Sequence, residues 1–284
     1  MQGYENPPVR DDVNVGQHSA ASEFVKLSLA LALGIVALVV ALILGFRWLA
    51  PLIPFRYEQQ LADPIATQLT SSNAHVAQQQ YLQALAEQLS ARMDFPADMR
   101  AQVHWSEQDI PNAFATLGGH ITLYRGMVDR LHSENGLAMV LAHELAHVRH
   151  RDPLVAAGSA TLVGLTLGTL LGSGSESIVG QSAAALTQLN FSRKQERAAD
   201  DAALRALTAY YGHTLGASEF FEAMQQEAAQ DASALQSSWF ESLQSHPDTQ
   251  QRIANIQSAS ALAPPNATLT PLPPVMQRVQ KKDK

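Results

Sequence analysis

Two histidines four residues apart, with a glutamate beside the first, are the residues of this chain best suited to chemistry. They lie in the segment VLAHELAHV, as His143, Glu144 and His147. On a helix, side chains four apart share a face with about 5–6 Å between their Cβ atoms. Both imidazoles can therefore reach one zinc ion at bond lengths of about 2.0–2.1 Å. Glu144 stands beside the metal, where a carboxylate can take a proton from a zinc-activated water and pass it to a leaving amine.

The alternative interpretation of this motif is two surface histidines on a charged helix. Leu137, Met139 and Val140 precede the motif and Val148 follows it, so the helix is predicted to be buried. Two histidines and a glutamate inside a protein are costly without partners. We therefore interpret His143 and His147 as zinc ligands and Glu144 as a catalytic residue.

A third ligand decides the subclass of such a site. One known arrangement has a histidine six residues after the second, with a glycine between them, but here Pro153 and His150 occupy those positions. The other arrangement takes a glutamate from a later helix, and Glu196 and Asp200 lie four apart there. We predict that Glu196 binds the metal while Asp200 accepts a hydrogen bond from the outer nitrogen of a ligand histidine. The alternative is an ordinary charged helix face.

Together these residues resemble the HtpX and CAAX prenyl endopeptidase family of zinc metallopeptidases, which pair His-Glu-x-x-His with a downstream Glu-x-x-x-Asp. The resemblance covers roughly residues 75–257. It includes Pro111-Asn112-Ala113-Phe114-Ala115, Gly118-Gly119, Ser245-His246-Pro247 and Arg252-Ile253. It implies a gluzincin-type fold, endopeptidase activity and one Zn²⁺ per chain.

The resemblance also implies how protein or peptide substrates bind in extended form. The strand before the helix that carries His143 and His147, which we call the metal helix, is expected to border the cleft. It is expected to hold substrate through main-chain hydrogen bonds. The predicted substrate-binding residues are Asn112, Ala113, Phe114, Ala115 and Gly119.

His246 has two interpretations. The resemblance implies that His246 lies near the metal as a catalytic residue, where it contacts the zinc-bound water or stabilises the oxyanion. Arg252 is then its structural or electrostatic partner. The alternative is a turn that begins the next helix by ordinary capping. His120 is expected in the edge strand beside the cleft, and His150 lies too far along the helix to bind the same ion. His104, His132 and His213 are predicted to be surface residues.

The elements that position these residues are predicted to be mainly α with a small β-sheet, an α+β fold class. The predicted helices cover 57–93, 137–149, 192–211, 218–229 and 250–256, and the predicted strands cover 101–107, 112–117 and 121–124. The predicted organisation is a polar tail over 1–26, a transmembrane helix over 27–46, a juxtamembrane linker or helix over 47–74, a metallopeptidase domain over 75–262 and a disordered proline-rich tail over 263–284.

Residues 27–46 carry no charge, and a helix of that length spans about 30 Å, the thickness of a hydrocarbon core. Lys26 and Arg47 bracket the segment, and Trp48 suits an interface. The long polar lead-in and the lack of a small-residue cleavage site argue against a cleaved signal peptide. We predict a single-pass membrane protein that contacts the lipid bilayer through this segment.

Basic residues are balanced on the two sides of this span and leave its orientation open. An uncleaved N-terminal anchor most often keeps its N-terminus in the cytoplasm, so the catalytic domain is expected to be extracytoplasmic, in the periplasm. Residues 155–171 are apolar and rich in small residues. They form either a second membrane helix or a packed core helix, followed by a polar loop and a further helix to about residue 189. We favour the core helix.

Composition excludes several classes of function. The 284 residues accommodate one catalytic domain with an anchor and tails, and the net charge of −7 argues against a nucleic-acid partner. The absence of cysteine excludes a thiolate metal site and a cysteine nucleophile. The resemblance implies an endopeptidase that acts on misfolded or unassembled membrane or envelope proteins. The alternatives are a chaperone-like assembly factor that uses the cleft for binding, and an aminopeptidase, for which no acidic anchor is found.

Overall fold

The structure is a computed structural model that describes residues 19–69, 75–171, 189–230, 246 and 250–277. The chain forms two compact units, Met1–Gly45 and Phe46–Lys284. Helix α1 covers Ala20–Leu49 and so begins before the predicted start of the membrane helix at residue 27. Its apolar side chains are exposed, and the mean hydropathy reaches 3.0 within Ala20–Leu52. In the described part of the chain, this is the one helix long and apolar enough to cross a membrane.

The unit Phe46–Lys284 is mainly helical around a small mixed sheet, which confirms the predicted fold class. Its helices are α2 Phe55–Leu69, α3 Val76–Ser90, α4 Arg125–Val128, α5 Glu134–His150, α6 Asp152–Leu171, α7 Arg193–Tyr211, α8 Glu219–Gln230 and α9 Gln250–Ala261. Its strands are β1 Gln102–Ser106, β2 Ala113–Ala115 and β3 His120–Tyr124.

The sheet has the order β1-β3-β2, with β3 parallel to β1 and antiparallel to β2. The strand that precedes the metal helix, β3, is therefore central, and the prediction that it edges the cleft is wrong. A non-local partner, β1, covers the side of β3 that was expected to be open. The edge strand on the other side is β2, where Ala113 pairs with Leu123 and Ala115 with Ile121.

Helix α5 forms the centre of this unit because nearly all of it is buried. Leu137, Leu141 and Leu145 have no exposed surface, and the helix packs against α3, α7 and β2. Ser133 caps its first turn by accepting a hydrogen bond from the Gly136 amide. A buried, capped helix keeps its side chains in one orientation, as a metal site requires.

Helix α2 belongs to this unit and lies within the range 47–74, over which a juxtamembrane linker or helix was predicted. Phe55, Glu58 and Ala62 are buried and pack on the short 3₁₀ turn Leu117–Gly119. Gly118 has a φ of 74° there, and a Cβ on it would lie 2.6 Å from the Cβ of Ala62. The turn on which α2 packs lies about 60 residues further along the chain.

The proline-rich segment after α9 is not a disordered tail over residues 263–277. Leu272 and Met276 are buried, and Pro271 forms an isolated β-bridge with Ser133. The Glu134 amide donates to the Thr270 carbonyl at 2.8 Å. Proline prevents regular structure but does not prevent packing. Residues 278–284 lie outside the described residues.

Helix α6 packs closely only near its start. Leu154 is buried, whereas Val163 and Leu165 are 38% and 45% exposed, so the predicted core helix is wrong for this later part. The loop and helix predicted between residues 172 and 188 lie outside the described residues.

Candidate metal centre and active site

Side chains from α5, α7 and the segment before α9 converge on one point. His143, His147, Glu196 and His246 each bring a ligand atom to within 4.8 Å of the others. The Nε2 atoms of His143 and His147 are 3.1 Å apart, and each lies 3.4 or 3.5 Å from a carboxylate oxygen of Glu196. A tetrahedral zinc ion with bonds of about 2.0–2.1 Å places its ligand atoms about 3.3 Å apart. The spacing fits one zinc ion.

The outer nitrogens of the two histidines are held by carboxylates. Nδ1 of His143 lies 3.0 Å from Asp200, and Nδ1 of His147 lies 2.8 Å from Asp152. Because an ionised carboxylate only accepts hydrogen bonds, these contacts place a proton on each Nδ1 and leave the Nε2 lone pairs facing each other. Such an arrangement suits a cation between the rings.

The charges of the site also favour a bound cation. Burial lowers the pKa of His143, but hydrogen bonds with Asp200 and Glu196 outweigh it and raise this pKa to about 10. The pKa of His147 is also raised, because contacts with Asp152 and Glu196 overcome burial. Burial raises the pKa of Glu196, but His246 and the two ligand histidines hold it far below its usual range. The buried carboxylates thus demand positive charge, which protons supply when no metal is bound.

Arg252 binds the carboxylates of Asp200 and Glu196. Its Nε and Nη2 atoms donate to the two oxygens of Asp200 at 2.7 and 2.8 Å, and its Nη1 atom lies 2.7 Å from Glu196. Arg252 is only 3% exposed and Glu196 is fully buried. Burial raises the pKa of Asp200, but Arg252 and His143 outweigh it and lower this pKa. The planar guanidinium therefore orients both acids at once.

Glu144 is 2% exposed and contributes to the wall of the cleft. Its Oε1 atom lies 3.5 Å from Nε2 of His246. Among the described residues, its Oε2 atom has no hydrogen-bond partner. A buried carboxylate oxygen without a partner is costly, and Glu144 is one of the residues that line the cleft.

His246 lies in the site rather than in a distant capping turn. Its Nδ1 atom is 3.1 Å from Oε1 of Glu196 and 3.3 Å from Nε2 of His143. The structure therefore favours the interpretation that His246 lies at the metal centre.

A cleft that is partly open to solvent lies beside these residues. Asn112 and Ala113 line it, whereas Phe114, Ala115 and Gly119 do not. Gly119 packs against the Arg100 carbonyl oxygen and Phe55 of α2, where a Cβ would lie 2.5 and 2.9 Å away. Its role in substrate binding stays a prediction. The remaining walls are mainly apolar and include Met127, Met139, Val140, Ala217, Phe220, Phe221, Met224 and Ile253.

Sequence reasoning missed three residues of the site. Asp152 faces His147, Gln195 donates to the other oxygen of Asp152 at 2.6 Å, and the ring of Phe191 stacks on that of His147 with centroids 4.1 Å apart. The sequence signal for Asp152 was the pair Asp152-Pro153, which begins a new helix directly after α5. Between the two helices, Arg151 adopts a left-handed conformation with φ 61°. Glycine, rather than arginine, is the usual residue at such a position.

Two other histidines were placed wrongly. His104 is buried, not on the surface, and its Nε2 atom lies 2.9 Å from Nδ1 of His120. His120 is also buried and does not line the cleft, because its strand is central. Burial and the neighbouring His120 lower the pKa of His104 to about 4.

Comparison with known proteins adds an independent line of argument. The sequence profile described as Peptidase family M48 matches residues 76–260. A protease HtpX homologue of Polynucleobacter necessarius is 30% identical over 221 residues, which cover 70% of each chain. An HtpX homologue of Aquifex aeolicus is 38% identical over 30% of this chain and 28% of its own length. The mitochondrial metalloendopeptidase OMA1 of Schizosaccharomyces pombe is 30% identical over 57% of this chain and 47% of its own. The matches to the latter two proteins thus span less than half of their lengths.

Proposed function

The chain belongs to Peptidase family M48, and we propose that it is a zinc endopeptidase that cleaves extended protein segments beside a membrane. The observation that carries the proposal is the convergence of His143, His147 and Glu196 at 3.1–3.5 Å, with the partly unpaired carboxylate of Glu144 beside them. A buried cluster of this charge and spacing is costly without compensating positive charge, which a divalent cation would supply.

His143, His147 and Glu196 would hold the zinc ion, while Asp200 and Asp152 orient the two rings. Zinc bound there would polarise the scissile carbonyl and lower the pKa of water from 15.7 to about 7. Catalytic zinc sites keep one position free of protein ligands. We therefore assign His246 to the substrate side, as a hydrogen-bond donor to the oxygen that becomes negative during the reaction.

Glu144 is the general base and acid of the proposed reaction. Glu144 lines the cleft, and its Oε2 atom, which has no hydrogen-bond partner among the described residues, would accept a proton from the attacking water. The same carboxyl group can then deliver that proton to the leaving nitrogen. Its contact with His246 restricts its rotation.

The proposed substrate is an extended peptide that adds to strand β2. Asn112 accepts from Tyr124 and Thr116 donates to His120, so both face β3. By the alternation of an antiparallel pair, the main-chain groups of Ala113 and Ala115 point away from β3. The Ala113 amide already donates to Oδ1 of Asn112 at 2.9 Å, so the Ala113 carbonyl and the main-chain groups of Ala115 are the groups proposed to pair with a substrate. The methionine and phenylalanine side chains of the cleft favour an apolar substrate side chain next to the cleaved bond.

The exposed apolar surface of α1 supports a site held at a membrane. We propose misfolded or unassembled membrane or envelope proteins as substrates, because such proteins expose extended apolar segments. We further propose that the catalytic domain lies on the periplasmic side. A reporter fused to the C-terminus of the full chain measures that orientation directly.

The function is tested with Glu144→Gln in full-length protein in detergent micelles, loaded with zinc. Glu87→Gln, an exposed change on α3, is the matched control. We expect Glu144→Gln to bind zinc like the parent but to cleave a quenched fluorescent peptide at least about 100-fold more slowly. Equal cleavage of peptides with blocked and free N-termini is expected of an endopeptidase.

The proposal fails if Glu144→Gln cleaves as fast as the parent, or if the parent binds no zinc. A function that survives in cells carrying Glu144→Gln would indicate a binding role for the cleft instead. An activity limited to free N-termini would indicate an aminopeptidase.

A further inference from the structure

One buried carboxylate of α2 contacts two segments of the chain that lead to the active site. Glu58 is 3% exposed. Its Oε2 atom accepts a hydrogen bond from Nε of Arg151 at 2.7 Å, and its Oε1 atom accepts one from the Gly118 amide at 3.0 Å. Arg151 ends the metal helix, and Gly118 lies in the turn between β2 and β3. Neither contact is used by the chemistry of the site.

The Arg151 contact leads to the metal centre. Arg151 is 6% exposed and has a φ of 61°, a conformation that side chains other than glycine rarely adopt. Its Nη1 atom also donates to the Ile53 carbonyl at 3.0 Å. The next residue is Asp152, which faces Nδ1 of the ligand His147 at 2.8 Å. The position of the Arg151 side chain therefore determines where the following carboxylate points.

The Gly118 contact leads to the substrate side. The turn that contains Gly118 joins the edge strand β2 to β3, and a Cβ at Gly118 would clash with Ala62 of α2. The Gly118 amide is held by Glu58 alone among the hydrogen bonds described for it. Strand β2 carries Ala113, which lines the cleft. Movement of α2 would thus shift the strand that is expected to bind the peptide.

We propose that Glu58 and Arg151 are positioning residues through which α2, the helix that follows the membrane segment in the chain, controls both zinc affinity and substrate binding. This inference rests on the proposed function. It assigns to the region before residue 75 a role in activity, in addition to its role as an anchor.

Removing one partner of a buried ion pair leaves an unpaired charge and is strongly destabilising, whereas replacing both partners with apolar residues is often neutral. The test therefore uses double variants of the full-length protein in detergent. Glu58→Met with Arg151→Met removes both contacts of the carboxylate. Glu58→Gln with Arg151→Met retains an acceptor for the Gly118 amide. Arg149→Met, whose side chain bonds the Asp94 carbonyl outside the site, is the matched control.

Zinc affinity is measured by titrating metal-free protein against a chromophoric chelator, and KM by peptide cleavage at saturating zinc. Both double variants are expected to raise the zinc Kd about tenfold or more, as changes behind a metal ligand do. Only Glu58→Met with Arg151→Met is expected to raise KM as well, by a few-fold for one lost hydrogen bond. Arg151→Lys, which keeps the charge but loses the planar fork, is expected to raise the zinc Kd by less.

Folded double variants with the zinc Kd and KM of the parent would overturn the proposal. If the double variants do not fold, an unchanged zinc Kd in Arg151→Lys would overturn it. A parent protein that neither binds zinc nor cleaves peptide would refute the proposed function itself, so the two failures are distinguishable.

Discussion

The change Asp152→Asn would keep the size of the side chain but remove the charge that faces His147, a proposed zinc ligand. Asp152 is 5% exposed and accepts two hydrogen bonds, from His147 at 2.8 Å and from Gln195 at 2.6 Å. An asparagine has one acceptor oxygen for these two donors. Either His147 loses its orienting partner, or Gln195 does.

The magnitude follows from the lost interaction. A hydrogen bond to a charged group contributes about 1.5–3 kcal/mol. At about 1.4 kcal/mol per tenfold change in affinity, Asp152→Asn should raise the zinc Kd about 10- to 100-fold. The rate of peptide cleavage at saturating zinc should fall much less, because Glu144 and the cleft are unchanged.

The assay is competition between metal-free protein and a chelator at neutral pH, followed by cleavage at saturating zinc. Asp201→Asn is the control, because Asp201 is exposed on α7 and the change removes the same charge. If Asp152→Asn binds zinc as tightly as the parent and Asp201→Asn, the conclusion that Asp152 orients His147 is wrong.

Two further predictions concern the fold around the site. The pKa of His104 is lowered from 6.5 to about 4 in the folded protein. Between these two pH values, the imidazole is therefore protonated in the unfolded chain but neutral in the folded one. This group therefore stabilises the fold above pH 6.5 and loses its contribution as the pH falls towards 4. Between pH 6.5 and 4, the free energy of unfolding of the parent should fall by about 1–2 kcal/mol more than that of His104→Gln, while the exposed His132→Gln follows the parent. Leu272→Ala should lower the free energy of unfolding in denaturant by about 2–3 kcal/mol, whereas Leu262→Ala, at a position 84% exposed, should change it by less than about 0.5 kcal/mol. Equal effects of the two leucine changes would show that the proline-rich segment does not pack on the domain.

The parts of the site that follow from local spacing could be predicted from the sequence. His143 and His147 are placed by the period of one helix, and Glu196 and Asp200 by the period of another. Their meeting could not be derived from periodicity, because it depends on how α5 packs against α7. It was inferred from the combination of motifs, and the contact distances now support it.

The errors arose where a non-local contact decides the outcome. The pattern of β3 indicated a strand, but its central position depends on pairing with β1, which precedes it by more than ten residues. His104 has no motif, and only the neighbouring strand explains its burial. The prolines after residue 263 correctly argued against a helix, yet Leu272 and Met276 find their partners in the core.

The ligands of the proposed zinc site are held mainly by residues that do not touch the metal. Asp152 faces one ring, Asp200 the other, and Arg252 holds both Asp200 and Glu196. Each of these residues comes from a different element, so the geometry of the site depends on the packing of α5, α6, α7 and α9 together. Because the two Nε2 atoms lie only 3.1 Å apart, a small displacement of any one of these elements changes the fit for zinc more than it changes the stability of the helix that carries the motif.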